Sequence, residues 1–218
     1  MITLIATAHK ENGLCKPIEL YNIIEQIKPD VIFEELSPNG FDSIYKGLLP
    51  DSLESKTIKL YLKKYPIAHF PVDIDGNMLI NKQLKNEIIE MFKRFEHSPR
   101  HQELSNHLDD LSYKYGFPFL NNNQCTELLR DKYLLEETLL KEINDEKLTQ
   151  TFRRWIYVNE VREKEMLKNI YSYCSQKKYE RALFLIGAEH RWPLIEKISK
   201  LEKENELKLN WNFNFFRF

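Results

Sequence analysis

Two of the six histidines in this chain of 218 residues each stand just after an apolar run that is typical of a buried strand. His9 lies in the sequence IATAHKE, near one end of the chain, and His190 lies in IGAEHRW, near the other. Imidazole titrates near neutral pH and binds metal ions, so a histidine at a strand end can serve as a general base or as a metal ligand. A joint role for the pair requires a fold that brings the two ends of the chain together.

Carboxylates stand at the ends of two further strand-like runs. The run VIFEEL contains Glu34 and Glu35, and the run IAHFPVDID contains Asp73 and Asp75. In an open parallel sheet, ligands bind outside the carboxyl ends of the strands, so we expect carboxylates at the same rim as the two histidines. Because side chains alternate along a strand, the choice between Glu34 and Glu35 stays open, as does that between Asp73 and Asp75. The alternative role for the aspartates is a turn, since a Gly-Asn pair follows them.

An arginine stands on the apolar face of a long predicted helix. Val158 and Met166 lie four residues before and four residues after Arg162 on a stripe of core-forming side chains. A guanidinium that faces a core requires an anionic partner, because burying an unpaired charge is costly. The candidates are a rim carboxylate, an anionic group of a substrate, or a glutamate in a purely structural salt bridge.

The elements that would position these side chains form an α/β pattern with a helical segment inside it. Residues 1–80 alternate strand-like and helical runs, strand character returns in ALFLIG, and 207–216 alternate apolar and polar residues like a strand with one dry face. Between them, 81–178 contain almost no glycine, and four amphipathic helical patterns cover 82–96, 101–115, 124–143 and 147–177. We therefore predict one α/β domain over 1–218. Its mixed, largely parallel sheet is split between the N- and C-terminal parts, at 1–80 and 179–218, and the helical insertion forms a cap.

Composition narrows the functional classes. The formal net charge is −1, so no overall field attracts nucleic acid, and we expect no nucleic-acid partner. The three cysteines are widely spaced and form no CxxC motif, which argues against a disulfide framework and against a thiolate zinc site. The sequence shows neither a signal peptide nor an apolar run of membrane-spanning length, so we expect a cytoplasmic protein without a membrane partner.

Four motifs, in order along the chain, resemble the signature of the TIKI/TraB superfamily, which includes TraB/PrgY and GumN proteins, TIKI metalloproteases, erythromycin esterases and ChaN-like haem-binding lipoproteins. The stretch ATAH ends at His9, with alanine in place of the usual glycine, and GAEH ends at His190 as an intact GxxH motif. PDVIFEEL is similar to the family's glutamate strand and contains Glu35. VREKEM is similar to its arginine stretch and contains Arg162 and the acidic Glu163.

The resemblance implies a split α/β fold around a central site. It also implies an activity that ranges in the family from metal-dependent peptide cleavage to ester hydrolysis and haem handling. In a metal-dependent hydrolase, His9, Glu35 and His190 would bind a divalent ion such as manganese or zinc and leave one position for water. The ion would lower the pKa of that water. Arg162 would stabilise the oxyanion or hold a substrate carboxylate.

A metal-free hydrolase is the second version of this hypothesis. One of the histidines would act as general base on water, and Glu35 would orient it. No serine or cysteine stands in a nucleophile motif, so direct attack by water is favoured over an acyl-enzyme. Glu34, Asp73 and Asp75 are the further candidates for contact with the substrate, a small molecule or a peptide, and the helical insertion would shape its pocket.

Two non-enzymatic readings stay open beside the hydrolase. The first is a binding module in which the histidines ligate a metal or haem and the arginine pairs with an acidic group such as a propionate. The second is an interaction protein that keeps the fold while its site has decayed. Each predicts a different result for metal content, haem binding and turnover of ester or peptide substrates.

Overall fold

A five-stranded sheet lies at the centre of the computed structural model, which describes residues 1–204 and 206–216, apart from the side chains of residues 76 and 77. The strand order is β3-β2-β4-β1-β5 and every pairing is parallel. The strands are β1 (Ile2–Thr7), β2 (Val31–Glu34), β3 (Ala68–Pro71), β4 (Ala182–Gly187) and β5 (Trp211–Asn212). The predicted α/β class with a largely parallel sheet is confirmed, and within the described residues the sheet is parallel throughout.

Helices cover the sheet and connect its strands. Several of them start at a proline or at a serine, asparagine or aspartate whose side chain accepts a hydrogen bond from the first turn, as the N-cap preference requires. The helices are α1 (Pro17–Ile27), α2 (Pro38–Tyr45), α3 (Leu53–Lys64), α4 (Gly76–Leu79), α5 (Lys82–Glu96), α6 (Pro99–Tyr115), α7 (Phe117–Leu120), α8 (Asn123–Ile143), α9 (Glu146–Gln176) and α10 (Ala188–Glu204). The four predicted helical patterns of the insertion correspond to α5, α6, α8 and α9.

The two ends of the chain meet in the middle of the sheet. β1 pairs with β4 along its whole length, from Ile2 opposite Ala182 to Thr7 opposite Gly187. Both strands are buried at every position, as is expected of parallel strands covered by helices on both faces. Because both strands run in the same direction, the residues that follow Thr7 and Gly187 emerge side by side at one rim.

Each face of the sheet packs against its own helical layer. On one face, Ile5 and Leu183 contact a cluster from α1, α3 and α7. On the other face, Leu4 and Phe184 contact the second half of α9 and α10. The first half of α9 belongs to a third cluster with α5 and α8, which includes Phe95. The helical insertion therefore supplies part of both layers on the sheet and also forms a core of its own.

The last strand is much shorter than its sequence pattern. Of the predicted strand at 207–216, only Trp211 and Asn212 pair, opposite Ile2 and Thr3 of β1. Beyond Thr3 the free edge of β1 is already occupied, because Ala6 bonds through both backbone groups to a side chain of the insertion.

No helix in the described part of the chain combines the length and apolarity that a membrane span requires.

Candidate active site

The four residues predicted to form the site lie together at the rim where β1, β2 and β4 end. Glu35 is at the centre and is buried. Its Oε1 accepts a hydrogen bond from Arg162 Nη2 at 2.7 Å and lies 3.3 Å from His190 Nε2. Its Oε2 accepts a bond from the backbone N–H of Gly187 at 2.5 Å and lies 3.8 Å from His9 Nε2. One carboxylate thus faces both histidines, one on each oxygen.

His9 is oriented by a glutamate on α3. Its Nδ1 lies 3.0 Å from Glu54 Oε1, and the hydroxyl of Thr7 donates to the same oxygen. The hydrogen bond to Glu54 is the main reason that the pKa of His9 is raised above its usual value. For Glu54, burial would raise the pKa of the carboxyl, but the His9 interactions outweigh it and lower the pKa to about 2. The His9 side chain remains 51% exposed, so its Nε2 is accessible to water.

His190 is oriented in the same way by a glutamate on α9. It lies in the first turn of α10, where its Nδ1 is 2.8 Å from Glu163 Oε1, and Lys197 donates to the other oxygen of Glu163 at 2.7 Å. Burial alone would lower the pKa of His190, but the hydrogen bonds to Glu163 and Glu35 outweigh it and raise the pKa to about 9. His190 is therefore an imidazolium at neutral pH.

A close approach between backbone and ring completes the arrangement. A Cβ built at Gly187 would lie 2.5 Å from His9 Nε2 and 3.4 Å from Glu35 Oε2, so a larger residue would displace the ring. His9 itself has φ 56°, in the left-handed region that residues with a side chain rarely adopt. Glycine at the end of β4 is thus required by the position of a histidine at the end of β1.

Arg162 connects the centre to Asp73. Its Nε and Nη2 donate to Asp73 Oδ2 at 2.9 and 2.7 Å, and its Nη1 lies 3.3 Å from His190 Nε2. These contacts pair Arg162 with two rim carboxylates, Glu35 and Asp73, and they are compatible both with a role in the site and with a structural salt bridge. Burial of Asp73 raises the pKa of its carboxyl, although Arg162 acts in the opposite direction.

Two of the predicted substrate-binding residues lie outside this cluster. Glu34 is the last residue of β2 and faces away from Glu35, as strand alternation requires. The Tyr45 hydroxyl donates to its carboxylate and lies 2.9 Å from Oε1 and 2.8 Å from Oε2, and His69 Nδ1 lies 2.7 Å from Oε1. Asp75 accepts a bond from Asn39 Nδ2 at 2.7 Å on an exposed loop. The structure therefore places Glu35 and Asp73 in the site, whereas Glu34 and Asp75 form hydrogen bonds with residues outside it.

Sequence reasoning missed Glu54 altogether. The glutamate follows Ser52, the N-cap of α3, and an acidic residue in a first helical turn is ordinarily explained by the helix dipole. No strand end or motif marks it, so only the packing of α3 beside His9 reveals its role. Glu163 was noted as the acidic residue next to Arg162, but its contact with His190 was not predicted.

The charges of the cluster balance when both histidines are protonated. Four carboxylates face four groups that carry a positive charge: Glu35, Glu54, Asp73 and Glu163 against His9, Arg162, His190 and Lys197. Charges buried to this degree are stable only when they are paired and hydrogen-bonded. The removal of one member therefore leaves an uncompensated charge in the site.

The predicted metal ligands do not fit a metal ion as they are arranged. Among the residues that the structure describes, no group of three or more histidine, cysteine, aspartate or glutamate side chains is placed to hold one. Arg162 lies in contact with both Glu35 and His190, so its guanidinium takes the place that a shared ion would need. A divalent ion bound by Glu35 and His190 would compete with the Arg162 guanidinium for both side chains.

A cavity of about 560 Å³ opens beside the cluster. This volume is in the range of pockets that bind small organic molecules. Its walls come from α5, α8, α9 and α10, so the insertion supplies most of them. They include four residues of the cluster and four aromatic residues. The cluster residues are Arg162, Glu163, His190 and Lys197, and the aromatic residues are Phe92, Tyr133, Trp155 and Trp192.

Comparison of the chain with protein-family models, with curated proteins and with solved structures found no match. The resemblance to the TIKI/TraB superfamily therefore stays a prediction that rests on the four motifs.

Proposed function

We propose that the protein is a hydrolase that cleaves an ester or amide bond by direct attack of water. His9 acts as general base and His190 as general acid, Glu35 holds both rings, and Arg162 stabilises the oxyanion. The observation that carries this proposal is the meeting of two histidines at the two oxygens of one buried carboxylate, with each ring held through Nδ1 by its own glutamate.

The environments of the two histidines favour this division of roles. His190 has a pKa of about 9 and keeps its proton at neutral pH, as a general acid must. His9 is half exposed, and its Nε2 can accept a proton from an incoming water while Glu54 accepts the Nδ1–H. The pKa of both rings is raised, so what distinguishes the two histidines is exposure: the side chain of His190 is buried beside Glu35 and Glu163, whereas the Nε2 of His9 is open to an incoming water.

The reaction then proceeds in two balanced steps. In the first, water oxygen bonds to the carbonyl carbon, His9 takes the proton of the water, and the carbonyl electrons move to the oxygen beside Arg162. In the second, the tetrahedral centre collapses, the bond to the leaving group breaks, and His190 gives its proton to the leaving oxygen or nitrogen. Proton exchange with solvent restores both rings.

A panel of nitrophenyl esters and chromogenic peptides tests the proposal. With a substrate that the wild-type protein turns over, we expect His9→Gln and His190→Gln to lower kcat by at least about 100-fold, in line with the usual effect of general acid–base groups. Glu35→Gln should have a similar effect, with unchanged secondary structure by circular dichroism. His107→Gln, at an exposed histidine of α6, is the matched control and should leave turnover unchanged.

A chelator separates the metal-free mechanism from the metal-dependent alternative. Activity that survives EDTA and does not rise with Mn²⁺ or Zn²⁺ supports attack by water that His9 activates. Activity lost with EDTA and restored by one of these ions would overturn the metal-free mechanism. Absence of turnover over the whole panel, or equal activity in both histidine variants, would contradict the proposal of a hydrolase.

A further inference from the structure

A buried histidine–glutamate pair lies in the helical insertion, apart from the cluster at the rim. His101 on α6 and Glu136 on α8 are 4% and 3% exposed, and His101 Nε2 lies 3.1 Å from Glu136 Oε1. The other ring nitrogen of His101 is buried and has no hydrogen-bond partner among the residues that the structure describes. Burial lowers the pKa of His101, so at neutral pH the ring supplies no positive charge to Glu136.

The carboxylate of this pair forms part of the wall of the cavity. Glu136 is among the lining residues, together with Tyr133 on its own helix and the aromatic residues Phe92 and Trp155 opposite. The rings of Phe92 and Trp155 meet edge to face at 5.2 Å, and both pack against the apolar cluster of the insertion. An acidic group and several aromatic rings therefore line the same cavity.

The cations on the cavity wall are already engaged with other carboxylates. Lys132 lies 3.5 Å from Glu189, and Lys197 donates to Glu163. Arg162 is held by Glu35 and Asp73. Within the described residues, Glu136 is thus a buried carboxylate at the cavity without a cation in direct contact. A buried carboxylate of this kind either keeps a proton or binds a cation from outside.

We propose that Glu136 and the aromatic wall recognise an organic cation, so that the substrate is an ester or amide with a substituted ammonium group. The choice of substrate rests on the proposed hydrolase function, whereas the binding of the cation does not. Aromatic faces attract ammonium groups, and quaternary ammonium ligands are commonly held by aromatic rings. An ionised carboxylate adds a Coulombic attraction for the same charge. Because the same cavity is lined by Arg162 and His190, a cation held at Glu136 leaves the rest of the molecule directed to the catalytic groups.

The state of Glu136 sets the conditions of the test. Burial raises the pKa of its carboxyl to about 7, so the group is ionised on the alkaline side of neutrality. Binding is therefore measured at pH 8 by isothermal titration calorimetry. Benzyltrimethylammonium is the probe because its charge does not change with pH, and benzyl alcohol is its uncharged counterpart.

We expect the wild-type protein to bind the cation at least about tenfold more tightly than the alcohol. Glu136→Gln keeps the shape of the side chain but removes its charge, so this variant should bind the cation no more tightly than the alcohol. Glu160→Gln removes an exposed carboxylate at the edge of the same cavity and should change the Kd of the cation less than twofold. Trp155→Leu, as a second variant, should weaken binding of the cation more than that of the alcohol.

The proposal is overturned if the wild-type protein binds neither probe, if it prefers the alcohol, or if Glu136→Gln binds the cation as tightly as the wild type. Glu35→Gln separates this outcome from the failure of the hydrolase proposal, because it should bind the cation normally and turn over nothing. For the substrate, an ester of a quaternary amino alcohol should have a kcat/KM at least about tenfold above that of an uncharged ester of equal size. Equal values would refute the choice of substrate.

Discussion

At the scale of single residues, the backbone of His9 adopts a conformation that needs support. A residue with a side chain in the left-handed region loses on the order of 1 kcal/mol, and such strain persists only where neighbouring contacts impose it. Here the contacts are the hydrogen bond to Glu54 and the close passage over Gly187. This conformation directs the ring across the end of β4 towards Glu35. The strained backbone of His9 is therefore what places its ring in the site.

The Glu54→Gln variant tests the contact with α3. Loss of the carboxylate charge, and with it of a hydrogen bond to an ionised acceptor, should lower the pKa of His9 towards that of an ordinary histidine, because this contact is the largest cause of the upward shift. Titration of the ring signals by NMR measures the change. Glu11→Gln is the control. Glu11 lies in the same loop as His9 and forms an exposed salt bridge with Lys56, so its replacement should leave the His9 titration unaltered.

Gly187→Ala tests the close passage of ring and backbone. The new methyl group cannot coexist with a ring nitrogen at 2.5 Å, and the half-exposed His9 side chain is the part free to move. We expect turnover to fall by at least about tenfold while the thermal midpoint changes little. Gly40→Ala in α2, away from the site, serves as the control. Full activity in Gly187→Ala would show that the ring does not need this position.

The site illustrates what the sequence alone could provide at this scale. His9, Glu35, Arg162 and His190 were predicted because each stands at a strand end or interrupts an apolar stripe. Strand alternation could not decide between neighbouring positions, and the structure decides for Glu35 over Glu34. Glu54 had no such signal, since its position in a helical turn is common and its partner is distant in the sequence.

At the scale of elements, the side chain of Asn121 makes backbone hydrogen bonds at the edge of β1 that a neighbouring strand would otherwise make. Asn121, at the end of α7, accepts from the N–H of Ala6 at 2.8 Å and donates to its carbonyl at 3.0 Å. These are bonds that a longer β5 would make, and they explain why the alternating pattern does not continue to pair after Asn212. Patterns of apolar residues predict strands, but they contain no information about which edge is already occupied.

Asn121→Ala tests this replacement. Both backbone groups of Ala6 would be left buried without a partner, which costs about 2–4 kcal/mol in the free energy of unfolding. Urea denaturation measures the loss. Asn123→Ala, at an exposed position two residues further on, is the control and should cost less than about 0.5 kcal/mol. Equal stability of the two variants would mean that water replaces the amide.

At the scale of the whole molecule, the charged groups make stability depend on pH in both directions. Glu35 and Glu54 have pKa values of about 2 in the folded chain against 4.5, so their contribution is present above pH 4.5 and is lost as the pH falls towards 2. His190 is raised from 6.5 to about 9, so its contribution is present below pH 6.5 and is lost as the pH rises towards 9. The pKa of Glu136 is raised from 4.5 to about 7, so the contribution of this group is present below pH 4.5 and is lost as the pH rises towards 7.

We therefore expect the thermal midpoint to be highest on the acid side of neutrality, at about pH 5, and to fall towards both pH 3 and pH 9. A series of thermal unfolding curves over this range measures it. Glu136→Gln should flatten the decline between pH 5 and pH 7 without affecting the decline below pH 4. A midpoint that rises steadily from pH 5 to pH 9 would contradict the assignment of these groups.

The longest helix has a mechanical consequence for the molecule. α9 has 31 residues and is about 46 Å long. Its first half packs against other helices of the insertion, and its second half packs on the sheet. Arg162 and Glu163 lie near its middle, on the same helix as the cavity residues Trp155 and Ile156. We therefore expect a ligand that tilts α9 from within the cavity to change the contact of Arg162 with Glu35 and that of Glu163 with His190 together.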